Sequence, residues 1–282
     1  MIPNFQLDLM RDYPDEFDLA YSSSLEVIDT TRGVDYSSLC RNSPGLNGFN
    51  WENYLKLSSI RMVRALHLIR KYMPPNSRVL DLGAYFGNFS LMLAKAGFEV
   101  TAVDAYDQYG PCMQKKIDLM RSHQIEVLNF EELERIPTET FGTILLMGVI
   151  EHIPHTPRLL LESVFSLLSQ SGLLILDTPN LGYIYNRQKL DRGESIFPPI
   201  QHQFWTELPF EGHHREFTVE EVGWMLDTAG FVLEEHELFN YSLYGLSELS
   251  GIDLDNYQKM LDDPSMRELQ IHAATAPIRN DK

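Results

Sequence analysis

The stretch Arg78-Val-Leu-Asp-Leu-Gly-Ala-Tyr-Phe-Gly-Asn-Phe-Ser90 decides the fold. Val79, Leu80 and Leu82 make a short apolar run of the kind a fully buried strand carries. Gly83 and Gly87 punctuate the turn that follows. Phe89, Leu91, Met92, Leu93 and Ala96 then line one side of a helix, and a second strand, Glu99-Val-Thr-Ala-Val-Asp104, ends in an acid. Strand, glycine turn, helix and strand make a βαβ unit with a nucleoside-binding layout. Glycine lets backbone approach a ligand closely, the helix N-terminus offers free N–H groups, and a carboxylate closing the second strand can accept from both hydroxyls of a ribose. The spacing departs from the dinucleotide pattern G-x-G-x-x-G, because Tyr85 stands at its second glycine.

Outward from this unit, strands are expected near 78–83, 99–104, 125–129, 143–149, 172–178, 231–238 and 269–276, with helices near 88–96, 111–122, 156–169 and 218–229. The run Ile144-Leu145-Leu146-Met147 has no polar break. Strands of this kind alternating with helices imply a mostly parallel sheet covered on both faces. Upstream, Trp51, Tyr54, Leu55, Leu57, Ile60, Val63, Leu66, Ile69 and Met73 recur at helical spacing, and Pro74-Pro75 closes that helix. Residues 1–50 read as an irregular N-terminal extension rich in turn formers, with 25–34 a short strand or helix. Residues 51–282 read as the domain proper, carrying two insertions. The first, 181–217, holds Tyr183, Tyr185, Phe197, Phe204, Trp205 and Phe210, too many aromatics for a disordered linker. The second covers 239–266.

The 282 residues and 44% apolar content suit one α/β domain with appended segments. The net charge of −17, from 23 basic and 40 acidic residues, repels phosphate backbones, so nucleic acid is not an expected partner. Basic positions such as Lys115-Lys116 and Arg187 through Arg192 are sparse. No apolar run reaches the roughly 20 residues of a membrane span, and the N-terminal residues lack a basic region followed by an apolar stretch. A cytoplasmic protein is expected. Cys40 and Cys112 have no recognisable spacing and are read as free thiols.

The segment Val79-Leu80-Asp81-Leu-Gly83-Ala-Tyr-Phe-Gly87 resembles the first motif of class I S-adenosylmethionine-dependent methyltransferases, hydrophobic-hydrophobic-Asp-x-Gly-x-x-x-Gly. The likeness runs on from Arg78 to about Leu233. It implies a Rossmann-like, seven-stranded, mostly parallel α/β sheet whose last strand inserts antiparallel between the fifth and sixth. It also implies S-adenosyl-L-methionine as cofactor, with Asp104 on the ribose and Ala105 (with Tyr106) at the adenine face. Asn129 would serve as acceptor for the adenine amino group, backed by Phe130 or Glu131. Gly83, Ala84, Tyr85, Met147 and Gly148 would lie at the sulfonium and amino-acid end. Asp81 would orient the glycine loop, closed by Gly87, or bind the ammonium group. Tyr85 replaces a common glycine of the motif.

Met147-Gly-Val-Ile-Glu-His-Ile-Pro-His-Thr-Pro157 resembles the Glu-His segment after the fourth strand in the branch that includes ubiquinone-pathway enzymes. Leu176-Asp-Thr-Pro-Asn180 and Gly212-His-His-Arg-Glu-Phe-Thr-Val-Glu-Glu-Val222 fit the same branch. Thr218 with Glu221 is also a helix capping box. Asp177 through Gly193, followed by His214-Arg-Glu-Phe-Thr, looks most like saccharide-modifying methyltransferases, and an aromatic insertion suits sugar faces. A saccharide or sugar-containing small molecule is the expected substrate, methylated on oxygen with a histidine base. His214 or His152 is the first choice for that base, with His213, His202 and Glu151 also in reach of the same rim. Relatives with Glu-x-x-Glu-His bind a metal. Here Gly148 replaces the first Glu, so a divalent ion on Glu151, His152 and His214 is possible but not favoured. The competing expectations are a different acceptor (an amine, a phenol, a lipid precursor or an RNA 3′ end) and a catalytically idle binding protein whose cofactor pocket Tyr85 blocks.

Overall fold

The computed structural model describes residues 4–41, 43–46, 48–207, 210–246 and 249–278. One seven-stranded sheet runs through it. The strands are β1 Arg78–Leu82, β2 Glu99–Asp104, β3 Glu126–Asn129, β4 Phe141–Met147, β5 Leu168–Pro179, β6 Val232–Phe239 and β7 Leu269–Thr275, in the order β3-β2-β1-β4-β5-β7-β6. β7 is antiparallel to both of its neighbours and the other pairs are parallel. This is the topology that the resemblance implies. Alternation along β1 sets the two faces. Val79 enters one core with the N-terminal half of the chain, while Leu80 and Leu82 enter the other with residues such as Leu161, Val164, Val222 and Leu226.

The helices are α1 Phe5–Asp12, α2 Pro14–Thr31, α3 Trp51–Tyr72, α4 Asn88–Lys95, α5 Tyr106–Tyr109, α6 Gln114–Ser122, α7 Arg158–Leu167, α8 Ile184–Asp191, α9 Ile200–Phe204, α10 Val219–Thr228 and α11 Gly251–Asp262. The expected helix over 111–122 is a short 3-10 turn at Gly110–Met113 followed by α6. Thr218 and Glu221 form the anticipated capping box of α10.

The expectation of irregular structure over residues 1–50 is corrected for the part up to Thr31, which forms α1 and α2. It holds beyond that, where among the described residues the chain makes only short 3-10 turns at Ser37–Arg41 and Pro44–Leu46 before α3. Asn4 caps α1, accepting from the Gln6 N–H at 3.1 Å. Pro14 is no breaker, because it stands in the first turn of α2, where its missing N–H has no helical acceptor to lose. The 18 residues of α2 bury Phe17, Ala20, Ser23, Ser24, Val27, Ile28 and Thr31. Small and hydroxylated residues blur that stripe in the sequence. They tolerate burial because Ser23 and Thr31 each donate to a carbonyl one turn back, Leu19 and Val27, at 2.7 Å. α2 packs on α3, α4 and α6, and its apolar residues are continuous with the core of the sheet's first face.

The two insertions join each other beside the ends of β5 and β7. α8 meets α11 through Tyr185 Oη donating to Asp253 Oδ1 at 2.5 Å and a reciprocal pair between Gln188 and Asn256 at 2.7 and 3.1 Å. Ile184, Leu243 and Met260 form a small core of their own there. Asn180, just past β5, ties the assembly down: its Nδ2 donates to the carbonyls of Ser265 and Arg267, and its Oδ1 accepts from Gly182. Among the described residues, no helix is long and apolar enough to cross a membrane.

Candidate functional site

The glycine loop leaves β1 and folds over the end of β2. The N–H groups of Gly83 and Ala84 both donate to the Val103 carbonyl, at 2.9 and 3.1 Å. Gly83 has φ +87°, and a Cβ on it would lie 2.4 Å from a Val149 methyl, so both conformation and space require glycine. Tyr85 also has positive φ, +44°, which accounts for the glycine usual in the motif. A left-handed non-glycine residue costs about 1–2 kcal/mol. Here the ring offsets that cost by packing against Trp51 (6.1 Å between centroids), Phe86 (4.7 Å) and Tyr109 (5.5 Å), and aromatic pairs are worth about 0.5–1.5 kcal/mol each. Tyr85 therefore shapes one wall of the loop. Asp81 lies beneath it, buried and bonded by Ser90 Oγ at 2.5 Å, with burial pushing its pKa up to about 6. The carboxyl thus holds the first turn of α4 from below.

Asp104 closes β2 as anticipated. Its Oδ2 accepts from the Tyr85 N–H at 2.7 Å, and its Oδ1 accepts from the Ala105 N–H and the Tyr109 hydroxyl, both at 2.7 Å. Burial raises its pKa while these three donors pull the other way. Asn129 has partners of its own within the fold. Its Oδ1 already accepts from the Asp107 N–H at 3.1 Å, and its own N–H donates to Glu132 Oε2 at 2.8 Å. It stitches the loop after β3 to the loop after β2. Phe130 beside it is exposed, and Tyr106 is buried with its hydroxyl 4.0 Å from Met120 Sδ.

At the end of β4, Met147 is buried and Gly148 turns with φ +70°. A Cβ on Gly148 would lie 2.9 Å from Arg61 Nη2 and 3.4 Å from Glu151 Oε1. Arg61, from α3, forks onto Asp177 with bonds of 2.7 and 2.6 Å, both groups buried. The sequence reading missed this pair. Its signal was a charged residue one turn from Leu57 and Ala65 on the buried face of α3. Lys116, read as part of a sparse basic surface, is fully buried. Its Nζ lies 3.1 Å from the Phe86 ring centre and 4.3 Å from that of Tyr36, and burial brings its pKa down to about 6. Cys112 is a buried free thiol, and the side chain of Cys40 lies outside the described residues.

Glu151, His152 and His213 bring one ligand atom each to within 4.8 Å of one another. His213 thus takes the place expected of His214. The His214 ring is engaged elsewhere: its Nε2 lies 3.1 Å from the Phe210 carbonyl and the two rings meet edge to face. His202 sits in α9, with Nδ1 near Gly45. His152 and His213 meet edge to face at 4.8 Å. Each is anchored by Nδ1, His152 on the Glu211 carbonyl at 2.7 Å and His213 on Glu216 Oε1 at 3.3 Å, leaving Nε2 to point elsewhere. Asn186 Nδ2 holds the other Glu216 oxygen at 2.8 Å. Glu151 is buried, accepts from Thr178 Oγ1 at 3.0 Å, and has its pKa pushed up to about 7 by that burial. Burial lowers His152 to about 4. His213 lies above its ordinary value: burial lowers it, but the bond to Glu216 and the charges of Glu151 and Glu216 outweigh that.

The family model for a methyltransferase domain matches residues 55–236. A ubiquinone biosynthesis O-methyltransferase of Xanthomonas axonopodis pv. citri is 28% identical over 132 residues, 44% of this chain and 52% of that protein. A glycine N-methyltransferase of Rattus norvegicus is 30% identical over 135 residues, 43% of this chain and 46% of that protein. The match spans about half the length of these relatives. Among solved structures, an S-adenosylmethionine-dependent methyltransferase of Methanosarcina mazei superposes with a TM-score of 0.53 at 17% identity, covering 75% of this chain and 98% of that one. The phosphoethanolamine N-methyltransferase 2 of Haemonchus contortus, solved with S-adenosyl-L-methionine, gives 0.51 at 15% identity, covering 76% and 52%.

Proposed function

Because the chain belongs to the methyltransferase domain family and is an S-adenosylmethionine-dependent enzyme, we propose that it methylates a hydroxyl of a saccharide or sugar-containing small molecule with His213 as general base. The observation that carries this reading is the ordered chain Asn186–Glu216–His213, ending beside Glu151 and His152 after β4. A carboxylate on Nδ1 fixes the tautomer and leaves Nε2 free to accept a proton. A pKa raised from the usual imidazole value keeps that nitrogen basic enough to help a weakly acidic hydroxyl.

The cofactor supplies an activated methyl group on a sulfonium. The chain's own residues do the rest. The glycine loop and Asp104 would hold the nucleoside half. Arg61, fixed by Asp177, places a guanidinium beside Gly148, where it would face the carboxylate of the cofactor's amino-acid end. His213, with His152 beside it, accepts the proton of the attacking hydroxyl. The saccharide half of the proposal rests on the first insertion, where Phe197, Phe204 and Trp205 present exposed aromatic faces, the flat apolar surfaces on which sugar rings pack.

A metal-assisted transfer is the second reading, favoured by the convergence of Glu151, His152 and His213. Anchoring both imidazoles through Nδ1 is the outer-shell pattern of metal-bound histidines. Against it, the second carboxylate is absent at Gly148, and the neighbouring space holds the Arg61 guanidinium, a cation in the place of a ligand. The donor set fits a divalent ion poorly, and no step is derived through one.

The test is methyl transfer from labelled S-adenosylmethionine to a panel of saccharides, phenols and amines. Transfer to a sugar hydroxyl is expected. His213→Ala should cut its rate by about 10²–10⁴-fold without weakening cofactor binding, and a chelator should leave the rate unchanged. Transfer confined to amines would overturn the acceptor, and abolition by chelation would restore the metal.

A further inference from the structure

Asp104 can accept about four hydrogen bonds, two on each carboxylate oxygen. Three are in use: Tyr85 N–H on Oδ2, and Ala105 N–H with the Tyr109 hydroxyl on Oδ1. One position is left. A ribose that places both vicinal hydroxyls on this carboxylate needs two. One present donor must yield, and the three are not equally free to do so. The Ala105 N–H follows Asp104 directly in the chain. The Tyr85 N–H belongs to the glycine loop, which is pinned to β2 by the bonds of Gly83 and Ala84 to Val103. Only Tyr109 reaches Asp104 with a side chain.

We propose that Tyr109 is an intrachain competitor for the cofactor, its phenol standing in at Asp104 for one ribose hydroxyl and thereby weakening cofactor binding. This rests on the assignment of Asp104 to the ribose. The local fold is built for release. Tyr109 ends α5, a helix of four residues in which Asp107 and Gln108 are exposed. Gly110 follows with φ 74° and ψ −163°, a conformation essentially confined to glycine. A swing of the Tyr109 side chain gives up one hydrogen bond, the ring's packing on the apolar cluster and the edge contact with Tyr85, whose ring keeps Trp51 and Phe86. The Tyr109 carbonyl meanwhile keeps Ser38 Oγ at 3.4 Å and Cys112 Sγ at 3.3 Å. The phenol then donates to water instead. A charge-assisted bond is among the stronger hydrogen bonds, so the competition is not negligible. Apparent affinity is proportional to the fraction of chains in which the carboxylate is released, and falls as that fraction shrinks.

The experiment is titration calorimetry with S-adenosylhomocysteine on the full chain, Tyr109→Phe, and Tyr109→Leu as a second variant should the first be misfolded by circular dichroism. Removing the hydroxyl is expected to tighten binding by about five- to twentyfold. A second arm compares adenosine with 2′,3′-dideoxyadenosine. The gain should appear with adenosine and vanish with the dideoxy compound, which makes no demand on Asp104. Unchanged or weaker binding by the variants overturns the proposal. Asp104→Ala separates the two levels: if it loses affinity while Tyr109→Phe gains none, the ribose assignment stands and the competition falls. If neither the full chain nor any variant binds S-adenosylhomocysteine, both fall together.

Discussion

Lys116 shows what a single buried charge does to this molecule. Its amine lies over Phe86 and beside Met113 Sδ at 3.1 Å, out of reach of solvent. The folded pKa of about 6 lies below the ordinary 10.5. Between those values the unfolded chain binds the additional proton, so stability rises with pH through the window and is lowest near its acidic end. Lys116→Met keeps the length of the side chain and removes the titration. It should raise the melting temperature near pH 6 by about 4 °C or more, with the gain shrinking as pH approaches 9. Melting curves at the two pH values check this, and a gain independent of pH would refute the assignment. None of this was legible in the sequence, where Lys115-Lys116 reads as two surface cations. The identity of Asp81, Gly83, Gly87 and Asp104 was legible, because the geometry of a β-strand end and a tight turn constrains residue type at each position. The bond from the Asp107 N–H to Asn129 was not, because nothing in the sequence says which loop N–H an amide oxygen meets.

At the scale of elements, the central strands β1, β2, β4 and β5 were readable because each carries an apolar run buried on both faces. The edge strands β3 and β6 are partly or largely exposed and were readable from their place in the alternation. α2 was not, because its buried stripe uses Ser23, Ser24 and Thr31 along with Phe17, Val27 and Ile28. The insertions were readable as ordered from their aromatics, but not as partners, since α8 and α11 recognise each other through amides, a phenol and a carboxylate that carry no periodic signature. Asn180 decides whether that pairing holds to the sheet. Asn180→Ala removes the bonds to Ser265, Arg267 and Gly182 and leaves two carbonyls without their donor. Each such loss costs about 1–3 kcal/mol where the group stays buried. The expected result is early proteolytic cleavage within 181–217 and 239–266 at temperatures where the far-ultraviolet spectrum is still native. Cleavage no faster than in the parent chain would show that α8 and α11 hold without this tie.

At the scale of the whole molecule, the question is whether residues 1–50 are an appendage or part of the body. Phe17, Ala20, Val27 and Ile28 are buried in the same apolar cluster as Val79, Met92 and Leu145, with Leu9 beside them. Burying one large aliphatic or aromatic side chain is worth about 1.5–3 kcal/mol. Leu9, Phe17, Val27 and Ile28 together are therefore comparable with the roughly 5–15 kcal/mol that separates folded from unfolded states in a domain. Ion pairs add a seam: Glu26 lies 2.6 Å from Lys95 and 2.9 Å from His123, and Glu16 lies 2.9 Å from Arg70. These exposed or half-exposed pairs contribute little beside the apolar term. Removal of residues 1–50 would bare the outer faces of α3, α4 and α6 at once, an apolar patch of the kind that drives association. A chain beginning at Trp51 should therefore be expressed mainly as aggregate, or melt well below the full chain, although it retains every strand and the whole glycine loop. Size-exclusion chromatography and thermal denaturation of the two chains decide it. A truncated chain that is monomeric and melts within a few degrees of the parent would make the N-terminal helices an appendage after all.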